Sequence, residues 1–462
     1  MAEKFDVIII GGGPAGIFAA LELTKARPNL TIALLEKGNA IAERVCPAKV
    51  TAGSCRRCRP CSITSGWGGA GAFSDGKLTL TTEYGGMLDQ YTGKRALAAL
   101  IDYVDRVYLD FGAAQTVYGA SADELRDLMR QAAKADLHFI PARIRHLGTE
   151  NCPRILQAMH DALAGSVDIR TRTQVRSIVA ESGVVRGVEL TDGQRLQADF
   201  VIAGPGREGA EWFSAEAARL GLGLANNPVD IGVRVEVPAV VFEHITSRVY
   251  ESKFLYYTRT FDDAVRTFCM NPYGEVVVEN NGGLRTVNGH SYRERKTENT
   301  NFALLVSKTF SHPFHEPIAY GKYIASLANM LGDGVIVQRL GDLQAGRRTT
   351  EKRLSKGGVR PTLHDATPGD LSLVLPYRHL IDILEMLEAL DAIAPGVNSR
   401  YTLLYGVEVK FYSARPELSH DLETKVRNLF ATGDGAGVTR GLIQASASGV
   451  IAARAVLSRL GR

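Results

Sequence analysis

The chain lacks any uninterrupted apolar run of the ~18 residues that a membrane-spanning helix needs. It also lacks the basic start and continuous apolar core of a secretory leader. Glu3 and Asp6 precede its first apolar run, and Gly11, Gly12, Gly13 and Pro14 break that run. These absences predict a cytoplasmic protein with no membrane span. There is no basic stretch of the kind that tracks nucleic acid: 54 Lys and Arg stand against 50 Asp and Glu, for a net charge of +4. No nucleic-acid partner is expected from so even a balance. The 47 glycines follow no triplet period, which excludes collagen. No internal repeat or low-complexity tail is visible. With 45% hydrophobic and 23% charged residues the chain is not disordered. Its 462 residues suggest about three compact units. Cysteine is scarce except in one stretch, where Cys46, Cys55, Cys58 and Cys61 supply four of the six. In a chain read as cytosolic, such clustering points to metal or redox chemistry rather than a disulfide framework.

Residues 5–10 (FDVIII) form a short apolar run suited to a strand buried on both faces of a parallel sheet. Gly11, Gly13 and Gly16 follow in G-x-G-x-x-G register, with Pro14 and Ala15 between them. Residues 17–25 then have helical period, with Ala19, Ala20 and Leu23 facing inward. A second buried strand is predicted over 30–35, closed by Glu36 and followed by Lys37. In this motif the first glycine permits the tight turn, and the second lets backbone approach a pyrophosphate. The third lets helix and strand pack closely. The helix amino end offers free N–H groups and a positive dipole to phosphate, and Glu36 is placed to accept hydrogen bonds from a ribose. Strand, glycine turn, helix, strand and acid in register predict a dinucleotide site for NAD or FAD.

The C-terminus discriminates between the two. A short strand over 429–431 runs into Gly433-Asp434-Gly435, and a helix is predicted from Gly441 and Leu442 to Leu460. This order resembles the third flavin contact of the glutathione-reductase-like FAD superfamily. By that resemblance Asp434 binds the ribityl or pyrophosphate region, and the helix amino end faces the pyrimidine side of the isoalloxazine. A helix amino end there would stabilise the negative charge of reduced flavin. Between the two ends, residues 175–203 hold Ser182-Gly183 and Asp192-Gly193 turns between alternating strands, then a buried strand over 200–203. The stretch from Val175 to Gly204 thus resembles the β-meander, returning strand and second cofactor contact of the same domain. Gly204, Gly206 and Gly209 repeat the G-x-G-x-x-G pattern. No strand ending in an acid follows at the right distance, so a second complete dinucleotide fold is not expected.

Further segments narrow the resemblance: GWGGAGAFSDGKL at 66–78, RHLGT at 145–149, DIGVRVE at 230–236, RTFCM at 266–270, GVEVKFYS at 406–413 and GDGAGVTRGLIQASASG at 433–449. Together they resemble the bacterial and archaeal NAD(P)/FAD-dependent oxidoreductases often labelled FAD-dependent dehydrogenases, over essentially the whole chain. The resemblance implies an α/β fold: a Rossmann-like FAD-binding domain, with parallel sheet plus β-meander, carrying an inserted α+β substrate domain. It implies noncovalent FAD, with NAD(P)H as a transient reductant. Gly68, Gly69, Ala70 and Gly71 would pass beside the flavin ring, and Asp75 and Lys77 follow in the same loop. Lys77 could polarise the ring edge or position a substrate carboxylate. Arg440 is placed near the flavin by the C-terminal motif. Lys410, His290, Tyr292, Arg347 and Arg348 are further polar candidates.

The cysteines are spaced C-x8-C-x2-C-x2-C. Four thiolates suit tetrahedral zinc. The C-x2-C-x2-C core also resembles iron–sulfur ligation, and a redox dithiol exchanging with flavin is a third option. Arg56, Arg57 and Arg59 would lower the thiol pKa values. Cys152 and Cys269 read as small buried residues, with a substrate-contact role left open for Cys269 in the expected substrate domain.

Amphipathic helices are predicted over 94–111, 122–135, 153–163 and 377–393, and strands over 231–237, 266–270, 276–279 and 302–307. The expected domains are residues 1–225 and 401–462 for the cofactor and 226–400 for the substrate. The expected activity is hydride transfer between flavin N5 and a small organic substrate. Alternatives are reduction of carbon–carbon double bonds, as in geranylgeranyl-reductase-like proteins, and an iron–sulfur/flavin relay taking electrons from a ferredoxin-like partner. A flavin-stabilised binding module is the remaining class.

Overall fold

The computed structural model describes residues 3–50, 58–74, 76–148, 150–225, 227–249, 251–281, 283–291, 295–310, 313–314, 316–410 and 415–461. Cys55, Arg56, Arg57, Asp75 and Tyr292 lie outside these residues. The chain divides into two compact units. The first comprises Met1–Val117, Arg143–Asn227 and Ser413–Arg462, and the second Tyr118–Ala142 and Pro228–Tyr412.

The first unit is built on β1 (Glu3–Ile10), followed by helix α1 (Pro14–Ala26) and strand β2 (Ile32–Leu35). β2 starts two residues later than the apolar run suggests. β1 lies between β2 and the strand Arg195–Ala203, parallel to both, with Ile8 opposite Ala33 and Val201. Asp168–Arg170 extends the parallel sheet beyond β2, and Leu429–Ala431 pairs in parallel with Arg195–Ala203. Val7, Ile8 and Ile9 are fully buried. Each such side chain contributes about 1.5–3 kcal/mol of burial energy, so a strand without polar alternation belongs in a sheet covered on both faces. The strands Val175–Glu181 and Val184–Leu190 run antiparallel into Arg195–Ala203 and make the expected meander. Ser182 and Gly183, both at positive φ, form its two-residue turn.

Three helices make a layer on this unit. α1 packs along the C-terminal helix Leu442–Leu460, and the helix Lys94–Asp110 joins them. Phe18 of α1 sits 5.0 Å from the Tyr108 ring, and the Tyr108 hydroxyl lies 3.2 Å from Ser446 Oγ. Close approach is possible because position 449 is glycine: a Cβ there would fall 2.0 Å from the carbonyl oxygen of Ala15.

The second unit holds an eight-stranded sheet. Its strand order is Thr367–Pro368, Ile336–Arg339, Leu403–Lys410, Val229–Pro238, Asn299–Lys308, Ala264–Asn271, Lys253–Tyr257 and Leu137–Ile140. In Val229–Pro238 the residues Ile231, Val233, Val235 and Val237 face a core shared with Phe302, Leu304, Ile383 and Leu387. Asp230, Arg234 and Glu236 alternate with them and are also fully buried. The antiparallel hairpin Glu275–Asn281/Leu284–His290 comes down on that second face, and a Cβ on Gly289 would fall 2.0 Å from Arg234 Nη2.

The expected domain boundaries need two corrections. Residues 118–142 belong to the second unit, because Leu137–Ile140 adds an edge strand to its sheet. The return to the first unit comes at 413 rather than 401, because Leu403–Lys410 pairs with Val229–Pro238 deep inside the second sheet. Among the described residues no helix is long and apolar enough to cross a membrane.

Candidate functional site

The site is assembled from three glycine turns that meet at the amino end of α1. At the first, the chain leaves β1 through Gly11, at φ +101°, where a Cβ would fall 2.2 Å from the carbonyl oxygen of Gly204. A Cβ on Gly16 would fall 2.0 Å from the Gly11 carbonyl oxygen. The fold itself therefore demands glycine at both places. Gly13, the N-cap of α1, is different. Its φ is −84°, open to any residue, and a Cβ there would have only Gly69 Cα near it, at 3.9 Å. Among the described residues, nothing crowds a Cβ at Gly13. The amides of the helix's first turn have no intrahelical acceptor, and Pro14 at its first position needs none. This cradle fits the pyrophosphate of a dinucleotide.

The second turn is Gly66–Phe73. The Gly68 amide donates to the Gly12 carbonyl at 2.7 Å, and a Cβ on Gly69 would lie 3.3 Å from Gly13 Cα. Ala70 and Gly71 continue in the short helix Gly69–Phe73. A Cβ on Gly71 would meet Leu442 Cδ2 at 2.5 Å, which brings the third turn alongside. There Gly433, at φ +75°, lies against Ala15 of α1, where its Cβ would stand 3.4 Å from that of Ala15. One Asp434 oxygen accepts from Thr439 Oγ1 at 2.7 Å and from the Gly441 amide at 3.2 Å; Arg207 stands 3.9 Å from the other. Gly441 caps the C-terminal helix that begins at Leu442. The Arg440 amide donates to the Gly85 carbonyl, fixing the residue just before that helix.

Glu36, predicted as a ribose acceptor, is already held by backbone. It accepts from the amides of Gly12 at 2.8 Å, Gly38 at 2.8 Å and Gly66 at 2.9 Å. Hydrogen bonds to a charged group are worth about 1.5–3 kcal/mol each, so this buried carboxylate locks the first two turns together. Lys37 turns to Glu208, at 3.5 Å. Glu208 also accepts from Thr64 and Ser65. Burial pushes the Glu208 carboxyl up, but these hydroxyls and Lys37 outweigh it and leave the group below its ordinary value. Gly204 donates to the Ile10 carbonyl, and Val175 opens the meander, buried opposite Leu190.

Lys77 begins the strand Lys77–Thr79, opposite His146. Lys410 lies in the second unit on the strand Leu403–Lys410, with its amino group 3.1 Å from Glu408 and 3.6 Å from Glu279. Those carboxylates hold it charged: burial pushes its pKa down, but Glu408 and Glu279 bring it above the ordinary value. Arg347 is engaged by Asp342 at 2.9 Å, and His290 is exposed at the end of a hairpin strand. Cys46, Cys58 and Cys61 are free thiols, Cys58 exposed and the other two half-buried. Among the described residues no group of three or more His, Cys, Asp or Glu side chains is arranged to hold a metal. Cys55, the fourth expected ligand, is outside those residues.

The residue that sequence reading missed is Arg44. Buried at 3% exposure, it directs its guanidinium at four backbone carbonyls of the stretch leading into the second turn. A single Arg in a polar loop gives no signal, because its partners are carbonyls that any residue type supplies.

Two family models match the chain. Residues 228–411 match "FAD-dependent protein, C-terminal domain-like", and residues 362–461 match "Glucose inhibited division protein A". Residues 228–461 are thus similar to segments of FAD-dependent proteins. The first of these matches falls within the second unit. An uncharacterized protein of Clostridium beijerinckii is 25% identical, over 99% of this chain and 81% of its own length. Among solved structures, glycine oxidase from Geobacillus kaustophilus aligns over 99% of this chain and 95% of its own, at 14% identity and a TM-score of 0.39. L-proline dehydrogenase from P. horikoshii aligns over 99% and 95%, at 11% identity and a TM-score of 0.41.

Proposed function

We propose that the first unit holds FAD noncovalently across the amino ends of α1 and the C-terminal helix, and that the chain catalyses hydride transfer to or from a small organic substrate. The observation that carries this reading is the meeting of three glycine turns at Gly13, whose Cβ position is open. The first-turn amides of α1 would hold the pyrophosphate. Glu36, fixed by three amides, would keep its remaining acceptor capacity for ribose hydroxyls. The backbone of Gly68–Gly71 would pass beside the ring system, where side chains would obstruct it. The amino end of Leu442–Leu460 would stabilise negative charge on the pyrimidine side. FAD, when bound, supplies a two-electron acceptor and donor that no side chain can provide. Lys77 and Arg440 are the cations proposed to orient an anionic substrate.

The test is to purify the protein, record its absorption spectrum, and mix it anaerobically with NADH, NADPH, reduced ferredoxin and a panel of small hydride donors. Flavin bands that denaturation releases, and that one hydride donor bleaches at a catalytic rate, are expected. Absence of flavin both after expression and after incubation with excess FAD would overturn the reading. Ligation of zinc or an iron–sulfur cluster by Cys46, Cys55, Cys58 and Cys61 is a separate proposal, decided by elemental analysis of the same sample.

A further inference from the structure

We infer that Arg44 is a positioning residue for the cofactor site, setting the course of residues 62–69 and thereby placing the Gly66–Gly71 turn against the head of α1. This rests on the reading of that site as an FAD site. Arg44 Nε donates to the Ser62 carbonyl at 2.9 Å. Nη1 donates to the carbonyls of Trp67 at 2.7 Å and Gly69 at 2.8 Å, and Nη2 to that of Ile63 at 2.8 Å. One planar group thus joins the beginning and the end of the loop. The stem packs with equal closeness: a Cβ on Gly66 would fall 2.6 Å from Arg44 Cδ, and the guanidinium stands 4.9 Å from the Phe73 ring centre.

The neighbours of the clamp complete the restraint from other directions. Glu36 takes the Gly66 amide, Glu208 takes the hydroxyls of Thr64 and Ser65, and the Trp67 indole donates to the Leu156 carbonyl at 2.8 Å. None of these reaches the carbonyls of 62, 63, 67 and 69. Burial pushes the Arg44 pKa down to about 10, against Glu36, Cys61 and Glu208, which raise it, so the group stays charged at neutral pH. Only a guanidinium has five donors in a fixed fork; an ammonium has three on a pivot and cannot reproduce the pattern.

Arg44→Lys and Arg44→Gln apoproteins, compared with the unmodified chain, test this. The measurements are FAD affinity, the visible circular dichroism and reduction potential of bound flavin, apoprotein melting temperature, and amide hydrogen exchange over residues 58–74. Two or more carbonyls left without donors predict FAD binding weaker by about 10- to 100-fold. Faster exchange confined to this loop and an altered flavin dichroism or potential are expected with it. Unchanged affinity, dichroism and potential in Arg44→Lys would overturn the inference. So would failure of both variants to fold as apoproteins, since Arg44 would then serve the core rather than the site. If the unmodified chain binds no FAD, the functional reading fails, whereas the exchange data still decide whether Arg44 holds the loop.

Discussion

Gly13 is the residue at which the physical argument is sharpest. Its neighbours Gly11 and Gly16 would each drive a Cβ to within about two ångströms of a backbone oxygen, at 2.2 and 2.0 Å, while Gly13 would not. Gly13→Val should therefore leave the apoprotein melting temperature within ~2 °C of the parent, because its φ of −84° is ordinary. FAD affinity should fall at least ~100-fold, because the side chain enters the pyrophosphate cradle. Full flavin occupancy in that variant contradicts the site. Glu36→Gln tests the other side of the turn. Three amides converge on this carboxylate, and a carboxamide turns N–H groups toward N–H donors. A loss of about 2–4 kcal/mol in urea unfolding is expected, with weaker FAD binding. Both residues were legible in the sequence because they sit in a motif of fixed spacing. The engagement of Glu36 by Gly66, thirty residues on, was not, since nothing in a local pattern marks which distant amide a carboxylate will meet.

At the scale of elements, helices were legible to within a residue or two at most ends where one face was apolar. The stretch 94–111 became Lys94–Asp110, and 153–163 became Cys152–Leu163. Strand alternation was equally clear in 231–237, but its meaning was not. The polar positions of Val229–Pro238, Asp230, Arg234 and Glu236, are buried as well. Arg234 lies 3.3 Å from Glu408, and Glu236 accepts from Asn299 at 3.0 Å. Charges can be buried only with partners, and those partners come from strands up to some 170 residues away in sequence. The contact between α1 and the C-terminal helix depends on Gly449. Gly449→Ala places a methyl on the Ala15 carbonyl, at 2.0 Å before relaxation. Overpacking of this kind costs about 1–3 kcal/mol. Because α1 carries the cradle at its head, FAD affinity should fall along with the urea midpoint. A midpoint equal to the parent's would show that the two helices separate freely.

For the molecule as a whole, the order of motifs along the chain marked the strands of the first unit's sheet, but not where the chain leaves and re-enters that unit. Residues 118–142 and 403–410 carry no compositional break; sheet pairing alone assigns them to the second unit. That unit also contains the group that should govern the protein's response to mild acid. His379 is buried on the helix Tyr377–Asp391, and neither ring nitrogen has a hydrogen-bond partner among the described residues. Burial, with the positive charges of Lys308 and Arg378, pushes its pKa from 6.5 down to about 4. Below pH 6.5 the unfolded chain takes up a proton that the folded chain refuses, so stability falls as pH drops from 6.5 to about 4, and is unaffected above 6.5. The full loss is about 3 kcal/mol. Asp342 acts in a lower window. Burial pushes its carboxyl up, but Arg339, Thr349 and Arg347 bring it to about 2, so its stabilisation is present above 3.8 and is lost only as pH falls toward 2. Urea midpoints measured from pH 7.5 to 3 separate the two. His379→Leu should flatten the decline between pH 6.5 and 4 while leaving the steeper fall below it. If the variant declines as the parent does across that interval, the acid sensitivity belongs to other groups and His379 is protonated without cost in the fold.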